Sequence, residues 1–356
     1  MTIRISRRGA TAAMAIVSAL AFSAPFAASR SPALAGEEVN IYSAREPELI
    51  KPVLDAFTAE TGITANVVFL NKGLAERIAA EGRNSPADVI LTVDIGRLDE
   101  VHSAGVTQPV SDPQIDADIP AQYREPGGNW FALTTRARVV YASRERVAQD
   151  AITYEELADP KWKGRICTRS GQHVYSIGLF ASMLAHHGAE ATETWLAGVR
   201  DNLVRKPDGN DSGQAKGIYS GECDIALGNT YYVGQMMTND KEPEQKEWAA
   251  AIKVLFPNTA DRGTHVNVSG MAMAANAPHR DNALTLMRFL ASDEAQRIYA
   301  EQVYEYPVKP GVPPSELVAS WGTLHADTLP LADIARNRKA ASELVDKVGF
   351  DSGPAS

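Results

Sequence analysis

The chain has 356 residues, 44% of them hydrophobic and 22% charged, with a formal net charge of −9. This length allows about two domains of roughly 150 residues, each with a sizeable core. The acidic balance argues against a general nucleic-acid role, because phosphate binding needs a basic face. It suits a cationic ligand, although most acidic proteins are simply soluble.

Residues 1–35 read as an export signal. Arg4, Arg7 and Arg8 form a positive start, an Ala-rich apolar run from Ala10 to Ala28 follows, and Ala33-Leu34-Ala35 is a small-x-small cleavage site. Ser6-Arg7-Arg8 carries part of a twin-arginine pattern but lacks a bulky apolar residue two places after Arg8. No second apolar run of about 18 residues follows, so a soluble, periplasmic mature chain is expected.

In chain order, Val39-Asn40-Ile41-Tyr42 predicts a strand, and Leu49, Ile50, Val53, Leu54 and Phe57 recur at helical spacing up to Gly62. Ile63 to Leu70 reads as a strand, Leu74 and Ile78 mark a helix ended by Gly82, and Val89-Ile90-Leu91-Thr92 is a compact apolar strand. Such alternation predicts an α/β layer around a parallel sheet. Further strands are expected at Arg138–Tyr141, Arg165–Thr168, Asp224–Leu227, Val254–Phe256 and Met271–Ala274. Helices are expected at Tyr175–Ala185, Leu284–Leu290, Ala295–Tyr304 and from Leu331 to Val348. The pattern divides into two α/β lobes. Residues 36–136 with 270–312 form the first and 137–269 the second; 313–356 form a C-terminal helical segment. The two crossings make a hinge, and a cleft between lobes is where a small ligand sits.

Asn229-Thr230-Tyr231-Tyr232 follows a strand and Gly228, a place where α/β proteins bind ligands. Gly228 lets the chain turn, and two adjacent phenols in a loop can aim at one point. Phenolate is a hard anionic donor suited to a small, highly charged cation. A free phenol has pKa about 10, so only a strong Lewis acid displaces its proton at neutral pH. The plain alternative is two tyrosines packed at a lobe edge. Tyr175, close after Cys167, is a third phenol or merely a ring at a helix start. The only two cysteines, Cys167 and Cys223, read first as a disulfide in an oxidising compartment, with two buried thiols as the alternative. His173 beside Tyr175 is a candidate neighbour of the site or a surface histidine. His186-His187 lacks zinc-hydrolase spacing, Gly209, Gly213 and Gly217 punctuate a loop without a P-loop lysine, and no nucleophile elbow occurs. No catalytic constellation of nucleophile, base and oxyanion hole assembles, and an enzyme is not expected.

Several stretches together resemble one family. They are Tyr42-Ser43-Ala44-Arg45, Ser85-Pro86-Ala87-Asp88-Val89, Thr92-Val93-Asp94-Ile95-Gly96-Arg97-Leu98 and Thr135-Arg136-Ala137-Arg138-Val139. Gly221-Glu222-Cys223-Asp224-Ile225-Ala226, Gly228-Asn229-Thr230-Tyr231-Tyr232 and Asp261-Arg262-Gly263-Thr264-His265-Val266-Asn267 complete the set. The chain resembles the periplasmic ferric-iron-binding proteins of ABC transporters, the Fbp-like or iron-deficiency-induced group, over nearly all of its mature length.

The resemblance implies a type II periplasmic-binding fold with two lobes on a two-strand hinge. It implies Fe³⁺ as transported ligand on Tyr175, Tyr231 and Tyr232, a Cys167–Cys223 bridge, and an inner-membrane ABC permease as partner. No nucleic-acid partner and a monomeric state are expected. Many members carry a histidine, often with an adjacent tyrosine, where Glu46 and Pro47 stand here. The sequence resembles instead the subgroup that completes the metal sphere with a synergistic anion such as carbonate. Arg45 and Arg136 are then candidates to hold that anion through paired hydrogen bonds. Glu46 is a candidate additional oxygen ligand. The competing readings are a same-fold binding protein for a polyamine, thiamine or an oxyanion, and a metal-dependent hydrolase.

Overall fold

The computed structural model describes residues 37–354. The export signal expected over residues 1–35 lies outside the described residues. Strand β1 (Glu38–Ser43) leads into helix α1 (Pro47–Thr61), β2 (Thr64–Phe69), α2 (Leu74–Glu81) and β3 (Val89–Val93). β1 pairs in parallel with both β2 and β3. Helix α1 buries Ile50, Val53, Leu54 and Phe57 along one face. Pro47 suits its first turn, where no N–H partner is needed. Gly62 ends it in the left-handed region, its N–H donating to the Thr58 carbonyl.

Helix α3 (Ile95–Ser103), β4 (Thr107–Gln108) and α4 (Pro113–Asp118) lead to β5 (Phe131–Ser143), thirteen residues that are all buried. Then come β6 (Ile166–Cys167), α5 (Val174–Asp201), α6 (Asp211–Tyr219), β7 (Ile225–Asn229), α7 (Thr230–Thr238), α8 (Glu244–Ala250), β8 (Ile252–Leu255) and β9 (Val266–Ala274). Helices α9 (Arg280–Ala291) and α10 (Asp293–Ile298), β10 (Tyr306–Pro307), α11 (Glu316–Ala319) and α12 (Leu331–Lys347) complete the order.

The strands lie in the order β2-β1-β3-β9-β5-β7-β6. The sheet is mixed rather than parallel, because β9 enters antiparallel between β3 and β5. β5 is the strand on which the two halves meet. Its first part pairs with β9 and β10, and its second part with β7 and β8. Sequence periodicity places β5 only at its apolar end, because Thr134, Thr135 and Arg136 interrupt the hydrophobic run although all three are buried.

Four local expectations change. Tyr231 and Tyr232 lie in the first turn of α7, not in a loop. Gly213 and Gly217 sit inside α6. Gly217 is glycine for space, since a Cβ there would stand 3.2 Å and 3.3 Å from the sulfurs of Cys223 and Cys167. The helix expected to reach Tyr304 passes instead through a wider turn at Tyr299–Val303 and stops at Tyr304, whose φ is 61°. Helix α5 continues past Ala185 to Asp201, with a break at Gly188.

Cys167 and Cys223 form a disulfide that closes a 56-residue separation. It ties β6 to the approach of β7. Helix α12 packs against α5 and α3, and Arg338 on it reaches Asp94 at 2.7 Å. No helix among the described residues is long and apolar enough to cross a membrane.

Replacing both cysteines by serine should lower unfolding free energy by about 4 kcal/mol, the loop-entropy value for a bridge of this length. Denaturant titration of the variant against the oxidised protein measures it. Equal midpoints would show that the bridge adds nothing.

Candidate metal and anion site

The three tyrosines of interest start helices that follow strands. Tyr175 lies in the first turn of α5, where His173 caps the helix by accepting the Tyr175 N–H. Tyr231 and Tyr232 open α7 directly after β7. Gly228 lies within β7 and makes no left-handed turn. A Cβ there would fall 2.1 Å from the Tyr141 ring. Without it, the Tyr141 hydroxyl donates to the Asn229 carbonyl just ahead of the tyrosine pair.

These placements bring the phenols together. The hydroxyls of Tyr175 and Tyr231 lie 3.2 Å apart. The Tyr231 and Tyr232 rings stack, with centroids 4.3 Å apart. All three line a cavity of about 570 Å³, together with Arg45, Arg136 and Glu305. Burial, reinforced by the neighbouring phenols, pushes the Tyr231 hydroxyl far above its ordinary pKa. Burial also raises Tyr232, with the Asp211 carboxylate adding to the effect. Arg136 opposes the shift at Tyr231 and Arg169 opposes it at Tyr232. Without a cation the two phenols of α7 therefore remain protonated at neutral pH.

Positive charge surrounds the phenols. The guanidinium carbons of Arg136 and Arg169 stand 5.3 Å and 5.2 Å from the Tyr175 ring centroid. Arg169 is held by Asp211 at 3.1 Å, and the same carboxylate pairs with Arg138 at 2.6 Å. Asp211 also accepts the Asn229 backbone N–H at 2.8 Å. One fully buried carboxylate thus fixes both a guanidinium beside the phenols and the entry to α7.

On the other side, Arg45 and Arg136 both donate to the Ser269 hydroxyl. Arg45 Nη2 lies 3.2 Å from Glu305 Oε1, an ion pair without hydrogen-bond alignment. The Nε and Nη2 atoms of both arginines are buried without a hydrogen-bond partner. Unpaired guanidinium donors on residues that line a cavity are suited to a planar oxyanion.

All the residues expected from sequence line this one cavity: Tyr175, Tyr231, Tyr232, Arg45, Arg136 and Glu46. Glu46 is exposed and precedes the first turn of α1. His173 also lines the cavity, with its ring edge-on to Tyr175 at 4.7 Å. Sequence reasoning missed Arg169, Asp211, Ser269 and Glu305. Arg169 offered a signal, a charged residue between a buried strand and Tyr175. The other three come from distant segments and carry no local pattern.

A model of bacterial extracellular solute-binding proteins matches residues 43–297. The chain belongs to that family. Iron uptake protein A1 of Synechocystis is 42% identical over 88% of this chain and 88% of its own length. A Bordetella ferric binding protein superposes with a TM-score of 0.82 at 52% identity, covering 88% of this chain and 99% of that one. A Trichodesmium protein solved with iron and citrate ligands superposes with a TM-score of 0.83 at 39% identity, covering 88% and 99%. The fold of this solute-binding protein is accordingly the two-lobed type II periplasmic fold of its neighbours, and its relatives bind solutes rather than transform them.

Two outcomes follow from the electrostatics of the site. Asp211→Asn leaves two buried guanidiniums short of a counter-charge and should cost about 3–5 kcal/mol in denaturant unfolding. A loss within error of zero would remove Asp211 from the account. The second concerns pH. Burial, with Arg138 and Arg136 nearby, holds His265 down to about 3, whereas an unfolded chain takes up that proton near pH 6.5. Below that pH the unfolded state binds the proton first, so stability falls between about pH 6.5 and 3. His265→Asn should flatten this slope, and an unchanged slope in pH-dependent unfolding would contradict the assignment.

Proposed function

We propose that this protein captures ferric iron as cargo on the phenolates of Tyr175, Tyr231 and Tyr232, with a small carboxylate or carbonate held by Arg45 and Arg136. The observation that carries this reading is the meeting of the phenols at the wall of an arginine-lined cavity. Three phenolates cancel the charge of a ferric ion. The arginines around them then require an additional anion, which the open donors of Arg45 and Arg136 are disposed to bind. The iron named for the Synechocystis, Bordetella and Trichodesmium proteins supports the cargo, and the citrate of the Trichodesmium structure supports a carboxylate beside it. Glu46 is the alternative oxygen donor at the cavity rim.

The same lining weighs against the competing readings. Arg45, Arg97, Arg136 and Arg169 all face the cavity, which disfavours a polyamine or thiamine. No cluster of three or more His, Cys, Asp or Glu suited to a metal occurs among the described residues, which leaves a metal hydrolase without a centre. An oxyanion alone would leave the phenols unused. The chain, exported by residues 1–35, works in the periplasm. Its two lobes, residues 36–136 with 270–312 and residues 137–269, close on the iron about β5 and β9. The loaded form then delivers iron to an inner-membrane ABC permease.

Ferric citrate added to chelator-stripped protein should produce a visible tyrosinate-to-iron charge-transfer band. Tyr231→Phe/Tyr232→Phe should abolish it. The band should bleach on acidification, because protons compete with iron for each phenolate. A wild-type protein that binds iron without the band would overturn phenolate ligation.

A further inference from the structure

Glu305 lies 1% exposed at the floor of the cavity, where its carboxylate pairs with buried Arg45 and is linked to buried Arg136 through Ser269. Its Oε1 pairs with Arg45 at 3.2 Å, and its Oε2 accepts from the Thr134 and Ser269 hydroxyls. Ser269 in turn accepts from both Arg45 and Arg136. Arg45, Thr134, Arg136 and Ser269 come from the segment after β1, from β5 and from β9, so the cluster sits where the two halves of the fold meet. Nothing in the neighbourhood of Glu305 in sequence marks it for this place. The chain delivers it by a strained turn. Tyr304 takes the left-handed conformation at φ 61°, its ring fills the space left by Gly234 on the tyrosine-bearing helix α7, and its hydroxyl donates to Thr238 at 3.1 Å. A Cβ at Gly234 would stand 2.4 Å from that ring. A non-glycine residue in this conformation is sparsely populated and persists only when its surroundings enforce it.

We infer that Glu305 is a specificity-determining residue for the anion, and that it acts by cancelling one of the two guanidinium charges. The inference rests on the anion reading given above. Arg45, Arg136 and Glu305 together carry one net positive charge, and their open donors are Nε and Nη2 of each arginine. A floor of charge +1 favours a small anion of low charge. A floor of +2 would favour doubly charged anions over singly charged ones of the same shape. Because Arg45, Arg136 and Glu305 are all buried, each unit of charge counts for more there than at the protein surface. Glu305 also fixes Arg45 from one side, while Ser269 holds its Nη1.

Formate and oxalate test this without iron, since they present the same carboxylate geometry with one and two charges. Calorimetric titration of the iron-free wild-type protein sets the reference ratio of oxalate to formate affinity. Glu305→Gln should raise that ratio about tenfold or more, the scale expected of one unit charge several ångströms away in a partly screened site. Arg45→Gln/Glu305→Gln removes the pair and returns the net charge to one, so it should restore the wild-type ratio while weakening both anions. The double variant also keeps the test decisive if Glu305→Gln alone does not fold, because a raised ratio in the double variant would overturn the inference. An unchanged ratio in folded Glu305→Gln, or equal weakening of both anions, would assign Glu305 a merely structural role. Binding of neither anion by the wild type would overturn the anion reading itself and this inference with it, whereas the ratio outcomes bear on Glu305 alone.

Discussion

A buried guanidinium must have an anion, and this requirement organises the centre of the molecule. Arg45, Arg136, Arg138 and Arg169 are all largely withdrawn from water. Leaving such charges unpaired costs several kcal/mol each. Asp211 answers Arg138 and Arg169, and Glu305 answers Arg45. Arg136 finds only a hydroxyl, and donors on both Arg45 and Arg136 stay open. The phenols lie inside this incomplete balance. Burial of Tyr231 and Tyr232 favours their neutral form, while Arg136 and Arg169 favour the phenolate. In the proposed function a trivalent cation tips that balance and an anion completes it.

The scaffold matters because the participants are scattered along the chain. Segments as distant as Arg45 and Glu305 meet because β9 lies antiparallel between β3 and β5 and β10 pairs with β5. The second half of β5 pairs with β8 and with β7, the strand that leads into the tyrosine helix α7. The disulfide joins β6 to the approach of β7 and so fixes the strands from which Tyr175 and Tyr231 depart. Helix α12 spans α5 and α3, and its Arg338 reaches the Asp94 carboxylate that also accepts from Asn267 on β9. The C-terminal segment is therefore joined to both sides of the crossing strands.

Much of this was legible in the sequence, and the reasons are physical. Apolar runs bounded by glycine gave β1, α1, β2, α2 and β3, because each buries a face with a simple period. The tyrosines, both candidate arginines and the cysteines stood out through chemistry and family resemblance. What was not legible depends on distance. A buried polar residue such as Thr134 or Ser269 looks like a break in a strand until its partner is known. Asp211 and Glu305 look like ordinary surface acids, and only the fold turns them inward onto arginines. The helical setting of Tyr231 and Tyr232 was hidden for a different reason. Gly228 reads as a turn, whereas its missing Cβ makes room for the Tyr141 ring and lets β7 run straight into α7.

The most direct test of the account is a crystal structure of the protein loaded with ferric iron and bicarbonate, with data collected at the iron absorption edge. A single anomalous peak within bonding distance of the phenol oxygens of Tyr175, Tyr231 and Tyr232, with a planar anion between the metal and the guanidiniums of Arg45 and Arg136, is the predicted result. Iron held elsewhere, or iron in the cavity without those three oxygens, would contradict it.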